Sequence, residues 1–310
     1  MRHGWLLLVL LGTAMPMVAD AAPRKTAGRA VSADDRLKAI YTAEYAWRQK
    51  MQGPDENSPP ETQAHLPDVG PKAQAAKLAR WTETERLLAA IPFAQLSTKA
   101  KVDYAVYKGQ IDALLAEQTY RDYEKPLNSD TSFWGDVAEA ARRSFHNEAD
   151  YRAYIATLRE LPGYFDAQIA NMRAGLKRGF TPPQVTLQGR DIGVAQVAEA
   201  KSLADNPLYA PFMTFPASIP AATQAALRKD GAAAIAEAAV PAHAKLLAFL
   251  RTDYIPGARK TLAAYDLPDG KAYYRSKIRE FVTLDMSPDA IHAIGVAEVA
   301  KIHAQMLDVL

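Results

Sequence analysis

No cysteine occurs anywhere in the 310 residues. That absence removes disulfide staples and thiolate nucleophiles together, and it leaves no residue to carry the lipid of a Cys-anchored lipoprotein. An excess of one charge is missing too. Lys and Arg number 37 against 35 Asp and Glu, a formal net charge of +2, and no run of five basic residues occurs. Such a balance lacks the electrostatic footprint of a nucleic-acid binder, so no nucleic-acid partner is expected. No segment alternates polar and apolar residues for more than a few positions, and no unit recurs at a fixed period. There is no G-x-S-x-G elbow, no P-loop and no G-x-G-x-x-G turn. At 49% hydrophobic and 23% charged residues the chain is nevertheless globular rather than disordered.

The first residues read as an export signal. Arg2 and His3 precede the apolar run Trp5 to Leu11, which leads through Gly12 and Pro16 to "ADA" at Ala19 to Ala21. A charged start, a short apolar core and an A-x-A site make a secretory signal peptide over 1–21, cleaved between Ala21 and Ala22. The apolar run is well short of the ~20 residues that span a bilayer, so no stable membrane anchor survives cleavage. The expected location is exported, in the periplasm. A basic flexible segment, 22–31, then leads into a helical domain over 32–310.

Within that domain helices announce themselves by their caps. Ser32 with Asp35 three residues on opens the first. Gly53 to Pro71 is a Pro-rich loop. Helices resume near Pro71 and after Ser97, the latter with Val102, Val106, Ile111, Leu114 and Leu115 on one face. Asn147 caps the next. There Pro162 is expected to end one helix and start another, which closes on Lys177-Arg178-Gly179. "TPPQVTLQG" is the one extended candidate, and its two prolines argue against a central strand. The Ala-rich stretch after Pro220 is expected to kink or restart at Pro241 and to stop before Pro256. Ser287-Pro288-Asp289 opens a terminal helix with Ile291, Ile294, Val299, Ile302, Met306 and Val309 near a 3.6-residue period. It carries no closing signal before Leu310. The fold class is all-α, a multi-helix array.

Chemistry is sparse. None of the six histidines has a partner at the one-turn spacing by which H-E-x-x-H grips an ion. His292 and His303 share a helix face but stand ~16 Å apart along the axis, too far for one metal. No metal ligand and no cofactor is therefore assigned in this chain, and no catalytic residue. Tyr273-Tyr274 could place a phenol in a cleft to steady an oxyanion, although aromatic packing is the commoner use. Tyr273, Tyr274 and His292 stand as the substrate-cleft candidates.

The block Leu267 to Met306 carries Gly270, Tyr273, Tyr274, Asp285, Ser287, Pro288, Ile291, His292, Gly295, Glu298, Val299 and Ile302 at set intervals. It resembles the bacterial domain-of-unknown-function family 885, and "LRELPGYFDAQIANMRAGLKRGFTPPQVTL" is similar to the same family's pattern. The resemblance implies a helical protein about twice this length, of the long-cleft zinc-metallopeptidase type, with a His-Glu zinc motif in its C-terminal half. Nothing here matches that motif. The expectation is thus an N-terminal half, truncated at Leu310, that forms one wall of a peptide-binding cleft. Such a piece would be inactive alone, would expose a large apolar patch, and would meet zinc and a peptide substrate only in a full-length member. The alternative expectation is a self-contained periplasmic helical binding or scaffold protein without enzymatic activity.

Overall fold

Three helices of the first core meet around one buried acid. In the computed structural model, which describes residues 31–52, 65–128 and 130–310, helix α1 (Ala33–Gln52) follows Ser32 directly. Helix α2 (Pro71–Ala89) takes Pro71 as its first residue, where a missing N–H costs nothing. Helix α3 (Thr98–Tyr120) starts on Ser97, whose Oγ accepts from the Ala100 N–H at 3.2 Å. Leu37, Trp81, Leu88 and Ile111 pack between them. The signal segment with its Ala21–Ala22 junction, most of the 22–31 stretch and loop residues 53–64 lie outside the described residues.

The inward face of α3 differs from the one expected. Val102 and Val106 are 61% and 62% exposed, and the buried stripe is Ala100, Tyr107, Ile111 and Gln118. Two valines lost to a tyrosine because the Tyr107 hydroxyl has a buried acceptor to reach, and an amphipathic ring needs such a partner inside.

The larger core is organised on α5 (Glu148–Arg178), a 31-residue helix. Asn147 Oδ1 accepts from the N–H of Ala149 and Asp150 at 2.8 and 3.2 Å, and Asp150 reaches back to the Asn147 N–H at 3.2 Å. Gly179 closes the helix at φ 76°, a left-handed position that suits a residue without Cβ. Pro162 does not divide it, contrary to expectation: the helix runs straight through. Leu158 and Leu161 beside the proline are fully buried, as are Phe165 and Met172. Each such side chain contributes about 1.5–3 kcal/mol on burial, enough together to outweigh one lost backbone bond.

The Ala-rich segment behaves similarly. Ala221–Gly257 is one continuous helix of 37 residues, composed of α7 (Ala221–Ala234), a π-helical segment Ile235–Ala239, α8 (Val240–Phe249), a second π-helical segment Leu250–Tyr254 and a last turn α9 (Ile255–Gly257). Each π segment falls just before a proline, Pro241 or Pro256. A widened turn takes up the crowding that a proline ring imposes on the carbonyl four residues back, so neither proline restarts or stops the helix where expected. By length and composition this helix could cross a membrane, but 56% of its most apolar stretch is buried in the fold.

Shorter pieces complete the array: α4 (Phe133–Ala140), α6 (Ile192–Ala198) and α10 (Gly270–Val282). "TPPQVTLQG" forms a 3₁₀ turn, Gln184–Leu187, instead of an extended piece. The described residues contain no strand, only an isolated bridge between Leu127 and Ser132, and the all-α reading holds. Helix α11 (Pro288–Val309) starts on Ser287, whose Oγ accepts from the Ala290 N–H at 3.1 Å. None of its residues is buried; Ile294, Val299, Ile302 and Met306 face solvent.

Candidate functional site

A cleft of about 670 Å³ opens between α4, α5 and the segment that leads into α2. Its volume lies within the ~300–1,000 Å³ typical of small-ligand sites. The entering segment is strapped to α5 from two sides. Glu160 receives the Leu66 N–H on Oε2 at 2.8 Å and His65 Nδ1 on Oε1 at 2.6 Å. Further along, Asn171 Nδ2 donates to the Val69 carbonyl at 2.9 Å. These bonds hold His65, Leu66 and Pro67 over the cleft.

The opposite wall is α4. Ser132 Oγ accepts from the Gly135 N–H at 3.3 Å and fixes the start of the helix, so that Phe133 and Val137 turn into the core. Phe133 packs edge-on against Tyr164 at 5.8 Å and Phe165 at 5.2 Å. Phe145 makes a similar contact with Tyr154 at 5.4 Å, and the Tyr154 hydroxyl is spent on the Leu208 carbonyl at 2.9 Å. The floor is therefore aromatic and rigid.

Asp136 stands at this wall, exposed to the cleft. Partial loss of water raises its carboxyl above the usual range. The acids around it are engaged elsewhere. Glu139 pairs with Arg142 at 3.2 Å, Asp150 serves the α5 cap, and Glu160 holds His65 and Leu66. Tyr164 also lines the cleft. Its oxygen accepts from Gln168 Nε2 at 3.0 Å, which keeps the phenolic proton for another acceptor. Burial pushes that phenol up, and the Asp136 charge adds to the rise. Asp136 and Tyr164 thus supply one negative acceptor and one neutral donor beside the aromatic floor.

The residues expected to line a cleft do not come together. Tyr273 is buried, faces a different cavity of about 250 Å³, and packs edge-on against Phe180 at 5.4 Å. Tyr274 lies on the surface against Tyr265 at 5.6 Å, and His292 is exposed on α11. Neither Asp136 nor Tyr164 stood out in the sequence. "FWGD" belongs to no motif, and Tyr164 joins it only through the packing of α4 on α5. Among the described residues no group of three or more His, Cys, Asp or Glu side chains is placed to hold a metal ion.

Comparison with known proteins bears on these expectations. The fold is similar to the crystal structure of a protein from Colwellia psychrerythraea described as a lipoprotein, with a TM-score of 0.74 and 17% sequence identity over 89% of this chain. The chain spans about half the length of that protein, 50%. No curated protein matches. A family match runs from residue 14 to residue 310. That span, nearly the whole chain, corrects the expectation of a resemblance to the family's N-terminal half only. The family's description names no peptidase or hydrolase, and no metal-holding group occurs among the described residues, so the zinc-peptidase reading of this chain and its peptide cleft wall are corrected. Matched over nearly its whole length, the chain belongs to the family described as bacterial protein of unknown function, DUF885.

Proposed function

We propose that this chain is an exported helical binding protein whose ligand site is the cleft between α4 and α5. One observation carries the reading: Asp136 presents a carboxyl, raised by loss of water and bonded to no other described residue, on a surface walled by Phe133, Phe145, Tyr154 and Tyr164. A cation is what such a site recognises, because an ammonium gains both the carboxylate and the faces of aromatic rings. The proton of Tyr164 adds a second polar contact. The ligand is then a small primary amine with an apolar body, held by a charge-assisted bond at one end and by burial at the other.

Export rests on the signal pattern of residues 1–21. Similarity to a lipoprotein is in keeping with a life outside the cytoplasm, and the absence of cysteine means that no thioether-linked lipid tethers this chain. Binding is favoured because the cleft joins aromatic walls to a carboxyl that no described residue engages.

Calorimetric titration tests the reading. Phenylethylamine should bind, and its neutral isostere phenylethanol should bind at least about tenfold more weakly, as expected for loss of a hydrogen bond to a charged group. Equal affinities for the two, or no heat with either, would remove the proposal.

A further inference from the structure

The second cavity has the opposite electrostatic character. Four separate segments converge on it: the turn after α3 with Lys125 and Asn128, the chain beyond α5 with Thr181 and Thr186, the segment after α9 with Arg259, and α10 with Tyr273. Two cations face one space of about 250 Å³, with Leu127, Pro182, Ala264 and Leu267 as apolar walls. We infer that this cavity is a second ligand site, distinct from the α4–α5 cleft, that takes a small organic carboxylate.

The two cations have different tasks. Arg259 is committed to the frame. Its Nε donates to the Thr181 carbonyl at 2.9 Å, and its Nη1 donates to the Thr261 and Ala263 carbonyls at 2.6 and 3.0 Å. Its backbone N–H meets Thr181 Oγ1 at 3.0 Å. The guanidinium therefore shapes the cavity and lends it positive charge, while most of its donors are used.

Lys125 is the available group. No carboxylate lies within ion-pair distance of its ammonium among the described residues; Glu124, the adjacent acid in sequence, is held by Arg178 Nε at 2.8 Å, and Asp122 is held by Lys277 Nζ at 2.7 Å. The Lys125 ammonium lies 5.7 Å from the Phe180 ring centre. Burial lowers its pKa, a cost that a bound anion would offset. Asp122 raises it, and Lys277 and Arg259 lower it further. The hydroxyl of Thr186 bonds the Pro183 carbonyl at 2.8 Å, so it too shapes the wall.

A carboxylate fits this arrangement better than an inorganic anion. An ammonium binds it as a point charge, and apolar walls reward a short hydrocarbon tail that phosphate lacks. The space is below the usual range for drug-sized ligands, which limits the occupant to a few carbons.

Butyrate and inorganic phosphate are the probes, titrated calorimetrically into the full chain. Butyrate should bind the wild type, more tightly than phosphate. Lys125→Met, which keeps the length and removes the charge, should weaken butyrate at least tenfold, and Lys125→Arg should restore most of the loss. Amide shifts induced by butyrate in the wild type should map to 125–128, 181–186 and 259–273, a readout that needs no variant. No butyrate binding, tighter phosphate binding, equal affinity in Lys125→Met, or shifts confined elsewhere would each overturn the inference. Phenylethylamine binding at the α4–α5 cleft should be unchanged in Lys125→Met, so the two sites stand or fall separately.

Discussion

Trp81 Nε1 donates to Glu44 Oε1 at 3.0 Å, where the carboxylate is completely removed from solvent. The second oxygen accepts from the Tyr107 hydroxyl at 3.0 Å, and Arg48 Nε forms an ion pair with Oε1 at 3.2 Å. One side chain of α1 thereby ties α2 and α3. Burial and the nearby Glu44 charge both push the Tyr107 phenol well up. Glu44→Ala leaves an indole N–H and a phenol without their acceptor and the Arg48 guanidinium without its counter-ion, and should cost about 3–5 kcal/mol. Glu44→Gln keeps the shape and one acceptor and should cost less, about 1–3 kcal/mol. Urea unfolding of the pair checks the order; equal losses would mean that the charge contributes nothing beyond shape.

Two helical glycines should respond in opposite directions to the same added methyl. A Cβ at Gly109 in α3 meets nothing within 4 Å, whereas at Gly175 in α5 it runs into the Glu124 carbonyl and the Phe180 carbonyl. Gly109→Ala should stabilise by about 0.5–1 kcal/mol through helix propensity alone. Gly175→Ala should destabilise by roughly 1–3 kcal/mol because backbone must move. Thermal melts of both variants decide; a stabilised Gly175→Ala would show that α5 and the 122–124 turn are not in fixed contact.

His243 gives the fold a pH dependence. Its Nδ1–H donates to the Ala239 carbonyl at 2.7 Å, its ring lies 4.8 Å from Phe165, and burial lowers its pKa from 6.5 to about 4. Between those values the unfolded chain binds a proton that the folded chain refuses. The neutral-ring contribution is therefore complete above about pH 6.5 and is lost as pH falls toward 4, by on the order of 3 kcal/mol. Urea midpoints at pH 7.5 and 4.5 should differ less in His243→Leu than in the wild type. The same pH slope in both would assign the effect to other groups.

Helix α11 should be held by its own backbone bonds and little else. With no buried residue along its length, it lacks the packing that protects α5. Hydrogen exchange at neutral pH should label α11 amides orders of magnitude faster than those around Leu158 and Met172. Comparable protection would require a packing partner for Ile294, Val299 and Ile302.

What the sequence made legible was local. Ser97, Asn147, Gly179 and Ser287 do their capping where side-chain chemistry says they should, because a cap is settled within four residues. Pro162, Pro241 and Pro256 misled because their cost is met by distant packing and by π turns, neither visible in a local pattern. The inward face of α3 was misjudged for want of Glu44, 63 residues from Tyr107. Of the site residues, Tyr273 does reach a cavity, but its partners there, Lys125, Thr181 and Arg259, come from three other segments. Asp136 was silent for the same reason: its aromatic surroundings are assembled from α4 and α5 and the segment near His65.

The central claim is that the α4–α5 cleft binds an amine through Asp136. Its most direct test is titration of phenylethylamine into wild type and Asp136→Asn, with melting temperatures measured on the same samples. The account predicts at least a tenfold loss of affinity in Asp136→Asn, corresponding to ~1.4 kcal/mol or more, with the melting temperature little changed. Undiminished affinity in a well-folded Asp136→Asn would contradict it.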